Sequence, residues 1–322
     1  MQEESGVSVV HDVIVVGAGA AGLSAALNLV RARRSTLVID SNRPRNAATL
    51  HSHGYLTRDG IGPLELRKIG RDEVEGYPNA EVALGQVTSI EPSDGAGFVV
   101  TTRGVRGAAD RVDQGRAVLI ATGLSETMPS VPSIRAFYGT HLHSCLECDG
   151  YEKSGEALAL IGESADLAER AVELGQWSRD VIVFTNGTDA VSGAQERALA
   201  TLGIRVERRT IDDVVGERAT MTGVRLADGD VIERSGGFVR PTWTPALGYA
   251  DDLGLELDAA GLVVVDRQGR TSVPGVYAAG DSTGPGPQQL IVAAGEGAKT
   301  AATINRDLLD LPGLLAGDST SA

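Results

Sequence analysis

The chain has 322 residues, 42% hydrophobic and 22% charged, the make-up of an ordinary globular protein with room for two domains. Forty-three acidic against twenty-nine basic residues leave a net charge of -14, which argues against nucleic acid as a partner and leaves no basic face for an anionic membrane. Val13–Val16 is too short for a signal h-region, and no stretch approaches the ~18 apolar residues of a bilayer span. A cytoplasmic location is therefore expected, and in that reducing compartment two cysteines do not read as structural staples.

The polar segment 1–11 reads as a flexible tail. Asp12–Val16 is a buried strand, Ala20–Arg31 an alanine- and leucine-rich helix, and Thr36–Ile39 a second buried strand. Between the first strand and the helix stands Gly17-Ala-Gly19-Ala-Ala-Gly22. Gly17 permits the sharp turn, Gly19 lets a pyrophosphate approach the backbone, and Gly22 lets helix and strand pack closely. The phosphates would meet the helix N-terminus, whose free N–H groups and dipole favour anions. Asp40 ends the second strand, placed to accept ribose hydroxyls and to repel a 2'-phosphate, so FAD or NAD(H) is expected here before NADPH. Short alternating runs from Glu81 to Val112 predict an antiparallel excursion. Ala117–Ile120 then returns to a buried strand that ends in Ala121-Thr122-Gly123.

A second strand–turn–helix unit opens with Ala157–Ile161, followed by helix Ala165–Leu174, strand Asp180–Phe184 and helix Gln195–Leu202. Further strands are expected at Val206 and from Val214 to Leu226. Of the glycine set only Gly162 remains: Ser164 and Leu167 stand where close approach matters, and Glu163 and Asp166 add negative charge. Thr185-Asn186-Gly187 offers no cation for a 2'-phosphate, and Arg208 with Arg209 is the nearest pair. This unit reads as a degenerate NAD(P)H-binding-like domain. Pro241–Pro245 reads as a linker; Gly261–Val265 and Gly275–Ala279 as strands of the first domain resumed; Gln289–Leu309 as a long helix; and 313–322 as a flexible tail. The expected fold is α/β with two Rossmann-like domains, 124–242 inserted between 12–123 and 243–312.

Cys145-Leu-Glu-Cys148 is open to two chemistries. A zinc site needs four ligands, and His141 and His143 precede the pair instead of following it at finger spacing, so no metal is expected. A redox dithiol needs two sulfurs close enough to bridge and a lowered thiol pKa, which a helix starting after Cys145 would supply. Asp149 follows directly and can carry a proton to or from a thiol. His51 and His53, downstream of Arg43, Arg45 and Asn46, are read either as contacts to a flavin or substrate or as ordinary surface histidines capping a turn.

Together, Gly17–Gly22, Ala121–Gly123, Cys145–Gly150 and Thr271-Ser-Val-Pro-Gly-Val-Tyr-Ala-Ala-Gly280-Asp281 resemble the low-molecular-weight thioredoxin reductases, from about Asp12 to Leu309. The resemblance implies a homodimeric flavoprotein of the pyridine nucleotide-disulfide oxidoreductase type. Gly280 and Asp281 would hold the ribityl and phosphate region of FAD, and Gln289 and Leu290 would lie beside the isoalloxazine. Ala20, Ala21, Ser41, Arg45, Asn46, His51, His53, Ala121, Thr122 and Gly123 join Gly17, Gly19, Gly22 and Asp40 as FAD-site residues. Cys145 would exchange with substrate, Cys148 would face the flavin, and Asp149 would be the acid–base group. Arg43-Pro-Arg-Asn46, His51–Gly60 and Gly150-Tyr-Glu152, with the degraded nicotinamide turn, look like the FAD-dependent dithiol oxidases of gliotoxin- and holomycin-type biosynthesis. That branch closes small-molecule dithiols into disulfides and passes the electrons to molecular oxygen. Its fungal members often carry histidine where this chain has Asp149, as reductases do. The alternative is a thioredoxin or disulfide reductase fed by NADPH or reduced ferredoxin; a non-enzymatic redox sensor is a third class.

Overall fold

The computed structural model describes residues 10–218, 220–284 and 286–309, so the expected tail 313–322 and most of 1–11 lie outside the described residues. In chain order the elements are β1 (Val10–Val16), α1 (Ala20–Arg31), β2 (Thr36–Asp40), α2 (Pro63–Glu75), β3 (Ala80–Pro92), β4 (Phe98–Gly104), β5 (Arg111–Ile120) and β6 (Leu124–Thr127). Then follow α3 (Ile134–Phe137), β7 (Leu142–His143), α4 (Leu146–Asp149), β8 (Leu158–Gly162), α5 (Leu167–Leu174), β9 (Val181–Phe184), α6 (Gly193–Thr201) and β10 (Arg205–Glu207). The chain continues through β11 (Ile211–Glu217), β12 (Thr220–Leu226), β13 (Val231–Glu233), β14 (Gly236–Arg240), β15 (Thr242–Pro245), β16 (Val276–Ala278) and α7 (Leu290–Asp307).

These elements form two compact units. One holds the described residues up to Pro44, Leu64–Ser125 and those from Thr244 onward; the other holds Arg45–Pro63 and Glu126–Trp243. The sequence places 45–63 within the glycine-turn domain, whereas the fold groups it with the cysteine-bearing unit. A Cβ on Gly139 would strike the Ala48 backbone, so this segment lies directly on α3–β7. The expected linker is partly ordered too, because β15 pairs with β6.

In the first unit β1 pairs in parallel with β2 and β5, and β16 extends the sheet beyond β5. Val10 and His11 already pair with Gln114 and Gly115, so the N-terminal strand begins inside the segment expected to be a tail. β3 and β5 are long because each is shared: one end joins the parallel sheet and the other pairs antiparallel with β4. Strand alternation divides the core. Val13 and Val15 face α1 and α7, while Ile14 and Val16 face Val100, Val118 and Val276 on the opposite side. Burying each such side chain fully contributes roughly 1.5–3 kcal/mol. A Cβ on Gly297 would overlap the Ala21 backbone, so glycine there lets α7 close on α1.

The second unit has a five-stranded parallel sheet, β10-β9-β8-β14-β7, with an antiparallel β11-β12-β13 sheet. Leu158, Leu160, Val181 and Val183 face α5 and α6; Ala159, Ile161, Ile182 and Phe184 face Val214, Met221 and Val224. Two local expectations differ from the fold. Gly261–Val265 is not a strand: Val263 makes isolated bridges to Leu257 and Thr283, while Asp258 accepts the N–H groups of Ala260 and Leu262. That side chain competes with a sheet ladder for the backbone. α2 was not foreseen, because only Pro63 and Val74 of its residues are buried and its apolar stripe is thin.

Candidate active site

Because β1, β2, β5 and β16 are parallel, their C-terminal ends bring Gly17, Asp40, Ala121 and Gly280 to one edge of the first sheet. Gly17 has φ +105°, and a Cβ there would lie 2.5 Å from the Ala121 carbonyl oxygen. A Cβ on Gly22 would overlap the Gly17 carbonyl, whereas one on Gly19 would meet only open space. α1 starts there with no side-chain cap and no acid in its first turn, so the N–H groups of Ala20, Ala21 and Gly22 are left for an anion. Gly280 (φ +77°) stands against Ala21, where a Cβ would come within 2.8 Å of the Ala21 methyl, and its N–H donates to Glu296 at 2.8 Å. Gly123 approaches Asp281, and Gln289 and Leu290 form the N-terminal cap and first residue of α7. Thr122 Oγ1 is 2.9 Å from the hydroxyl of Tyr249, a phenol whose pKa is raised by burial. Tyr249 was not foreseen, being distant in sequence and outside any motif.

The open space over Gly19, rimmed by uncapped N–H groups, fits the pyrophosphate of an extended dinucleotide such as FAD. This geometry separates two glycine roles. Gly22→Ala is expected to destabilise the fold by about 1–3 kcal/mol through overlap with the Gly17 carbonyl. Gly19→Ala, which meets nothing in the protein, should leave the melting temperature of the flavin-free protein unchanged and lower only the flavin bound. Thermal melts paired with flavin quantification check both.

Asp40 ends β2 where the sequence placed it, and Ser41 follows, half-buried. Its charge is not free to repel a phosphate, however. Oδ2 accepts from Arg67 at 2.6 Å and Arg71 at 2.8 Å, and Oδ1 lies 3.3 Å from the Ala18 N–H. Burial lowers the Arg67 pKa, Asp40 opposes that shift, and Arg71 and Arg106 add like-charge repulsion. Two guanidiniums against one carboxylate make this edge net positive, so Asp40 alone does not select the nucleotide. Arg67 and Arg71 stand four apart on one face of α2, a spacing legible only once that helix is recognised.

In the second unit Cys145 and Cys148 are joined as a disulfide, with Cα atoms 5.3 Å apart. Cys145 caps the short α4, and its Sγ accepts the Cys148 N–H at 3.2 Å. The Asp149 N–H reaches the Cys145 carbonyl at 3.3 Å, and Gly150 lies so close to Trp177 that a Cβ there would be 2.7 Å from the indole. Asp149 Oδ1 is 3.0 Å from Nδ1 of His143, which is buried and holds the Thr140 carbonyl at 3.1 Å with Nε2. From the sequence His143 reads only as a candidate metal ligand; the fold makes it the partner of Asp149. Among the described residues no group of three or more His, Cys, Asp or Glu is arranged to hold a metal ion. Ser144 and Glu126 both lie within hydrogen-bond distance of the Tyr138 hydroxyl, at 2.8 and 3.0 Å.

Arg45 and Asn46 share a single 3-10 turn, and the Arg45 guanidinium stands 5.4 Å from the centre of the Trp243 ring. His51 Nδ1 is 3.0 Å from the Gly60 carbonyl, and His53 lies 3.5 Å from Asp59 and 3.7 Å from Glu152. All four belong to the compact unit that holds the cysteines, not to the one that holds the glycine cradle.

The second nucleotide turn is filled from within. Asp166 Oδ2 accepts from Arg240 Nε at 2.8 Å and Nη2 at 2.7 Å, and Oδ1 accepts from Ser164 at 2.6 Å. Burial works against the Asp166 carboxylate, but these hydrogen bonds hold its pKa below the ordinary value. A Cβ on Gly162 would sit 2.8 Å from both Arg240 and Leu167, so the Arg240 side chain covers the turn. Arg208 is bound to Glu196, and Arg209 to Glu207, Asp228 and Asp230.

Comparison with known proteins agrees with this architecture. The family model for pyridine nucleotide-disulphide oxidoreductases matches residues 11–297. "Thioredoxin reductase sirT" of Leptosphaeria maculans is 30% identical over 312 residues, covering 92% of this chain and 94% of its own. The crystal structure of HlmI is 38% identical with a TM-score of 0.87, covering 95% of each chain. TrxB from Bacillus anthracis is also 38% identical, with a TM-score of 0.86 over 93% of this chain and 99% of that one. No described helix is long and apolar enough to cross a membrane. The chain belongs to the pyridine nucleotide-disulphide oxidoreductases, in their thioredoxin reductase-like group of flavin-dependent thiol–disulfide enzymes.

Proposed function

We propose that this protein is an FAD-dependent dithiol oxidase that closes a small-molecule dithiol into an intramolecular disulfide. The observation that carries the reading is the nicotinamide-type turn occupied by Asp166 and Arg240, in a chain that keeps both a glycine cradle and a Cys-x-x-Cys-Asp pair. The occupied turn weighs against an electron route from nicotinamide, while the cysteine pair supports a route from thiols. The resemblance to the gliotoxin- and holomycin-type dithiol oxidases supports the same direction.

A substrate thiolate attacks Cys145 Sγ; the Cys145–Cys148 bond breaks and Cys148 leaves as a thiolate. The substrate's second thiol, as thiolate, attacks its own sulfur in the mixed disulfide and releases Cys145 together with the cyclic product. The Cys148 N–H, already on Cys145 Sγ, favours the thiolate that forms there. Gly17, Gly19, Ala20, Ala21, Gly22, Thr122, Gly123, Gly280 and Asp281 would hold FAD. When bound, FAD supplies a two-electron acceptor for the reduced cysteine pair and passes the electrons to molecular oxygen, giving hydrogen peroxide. Asp149 manages the proton at the cysteine pair.

The decisive comparison is oxygen consumption with small dithiols against reduced thioredoxin. The small dithiols should be favoured at least about tenfold in kcat/KM, with one peroxide formed per disulfide. Asp149 and the thioredoxin reductase names of relatives such as sirT favour a disulfide reductase as the second reading, and a clear preference for thioredoxin would establish it. We also propose a homodimer, checked by sedimentation at micromolar concentration; a stable monomer would remove it.

A further inference from the structure

Both ring nitrogens of His143 face oxygen. Nε2 lies 3.1 Å from the Thr140 carbonyl, which can only accept, so this contact is a hydrogen bond in the form that carries a hydrogen on Nε2. Nδ1 lies 3.0 Å from Asp149 Oδ1. Two lone pairs facing each other at that distance, beside a ring only 8% exposed, would leave both groups unsatisfied. A proton therefore sits between them. The pair is either an imidazolium beside a carboxylate or a neutral ring accepting from a carboxylic acid, and in both forms it holds one proton between Nδ1 and Oδ1. The titratable groups nearby on other segments are His141, whose pKa is lowered by burial, and the Lys153–Glu156 pair; among the described residues none bonds to His143 or Asp149.

We infer that His143 is the positioning residue of the disulfide chemistry, storing with Asp149 the single proton that follows electrons onto and off Cys148. When substrate sulfur bonds to Cys145 and the Cys145–Cys148 bond breaks, the electron pair goes to Cys148 Sγ. The stored proton then passes to that sulfur through Asp149, the next residue of α4, leaving an imidazole with hydrogen on Nε2 beside an ionised carboxylate. The reverse transfer restores the thiolate and reloads the pair. Thr140 holds the ring in the one orientation that aims Nδ1 at Asp149, and the ring also stands against Phe238 at 6.2 Å.

This rests on the thiol–disulfide chemistry and not on whether oxygen or nicotinamide is the other redox partner, so the test omits both. The holoprotein is mixed anaerobically with dithiothreitol at pH 5 to 8, and opening of the Cys145–Cys148 disulfide is followed by quenching and maleimide mass-tagging. His143→Phe should open about 100-fold more slowly with a flattened pH profile, the usual scale of general acid–base catalysis. Asp149→Asn should match it, and the double variant should be no slower, because the two act as one unit. His143→Gln repeats the test if the phenylalanine variant does not fold. Nitrogen-15 spectra of histidine-labelled protein at pH 7 should show Nε2 of His143 protonated. Wild-type opening rates and pH profile in the His143 variants, or an unprotonated Nε2, would overturn the inference.

Discussion

Cys145→Ser and Cys148→Ser should each abolish dithiol turnover, by at least about 10³-fold, while leaving flavin bound. The sulfurs act as one dithiol–disulfide unit, so losing either should cost nearly as much as losing both. Neither variant threatens the fold. Serine is a favoured N-cap, so at position 145 its oxygen can keep the bond that Sγ now accepts from the Cys148 N–H. The unit's packing depends on Leu146, Leu158, Leu160 and Phe238 rather than on a cross-link spanning only three residues. Turnover and flavin content measured on the same preparations decide the matter. Residual activity of a tenth or more in either variant would remove the pair from the reaction.

Millimolar NADPH or NADH should fail to bleach the oxidised flavin under anaerobic conditions, whereas a small dithiol should bleach it within seconds. At the second turn a dinucleotide phosphate would have to displace Asp166 from Arg240 and Ser164, and move the Arg240 side chain off Gly162. The arginines that follow β10 are committed elsewhere, Arg208 to Glu196 and Arg209 to three acids. Each missing charge-assisted contact weakens binding by about 1.5–3 kcal/mol, and every 1.4 kcal/mol is tenfold, so two or three such losses carry a micromolar site to millimolar or beyond. The dithiol route asks nothing of this turn. Reduction of the flavin by micromolar NADPH would overturn the oxidase reading and restore the reductase one.

Features that depend on near neighbours were legible in the sequence. The glycine turn, α1, the parallel strands and the cysteine pair each declare themselves within about ten residues, through backbone conformations that glycine permits and through burial that sets the apolar pattern. The loss of glycines at Ser164 and Leu167 was equally local, and so was the Cys-x-x-Cys-Asp run. Tertiary structure alone decided how charges are paired. Asp40 reads as a lone carboxylate until α2 brings Arg67 and Arg71 onto it. Asp166 reads as bare repulsion until parallel pairing of β14 with β8 lays Arg240 across the turn. His143 reads only as a candidate metal ligand until the turn through α4 returns Asp149 to its ring. Segment 45–63 carries no local sign of the unit it joins, because that depends on Gly139 leaving room for Ala48, ninety-one positions away. Local rules set by the backbone read out within one element; the partner of a charge is chosen by which strand lies next in the sheet, and periodicity does not encode that choice.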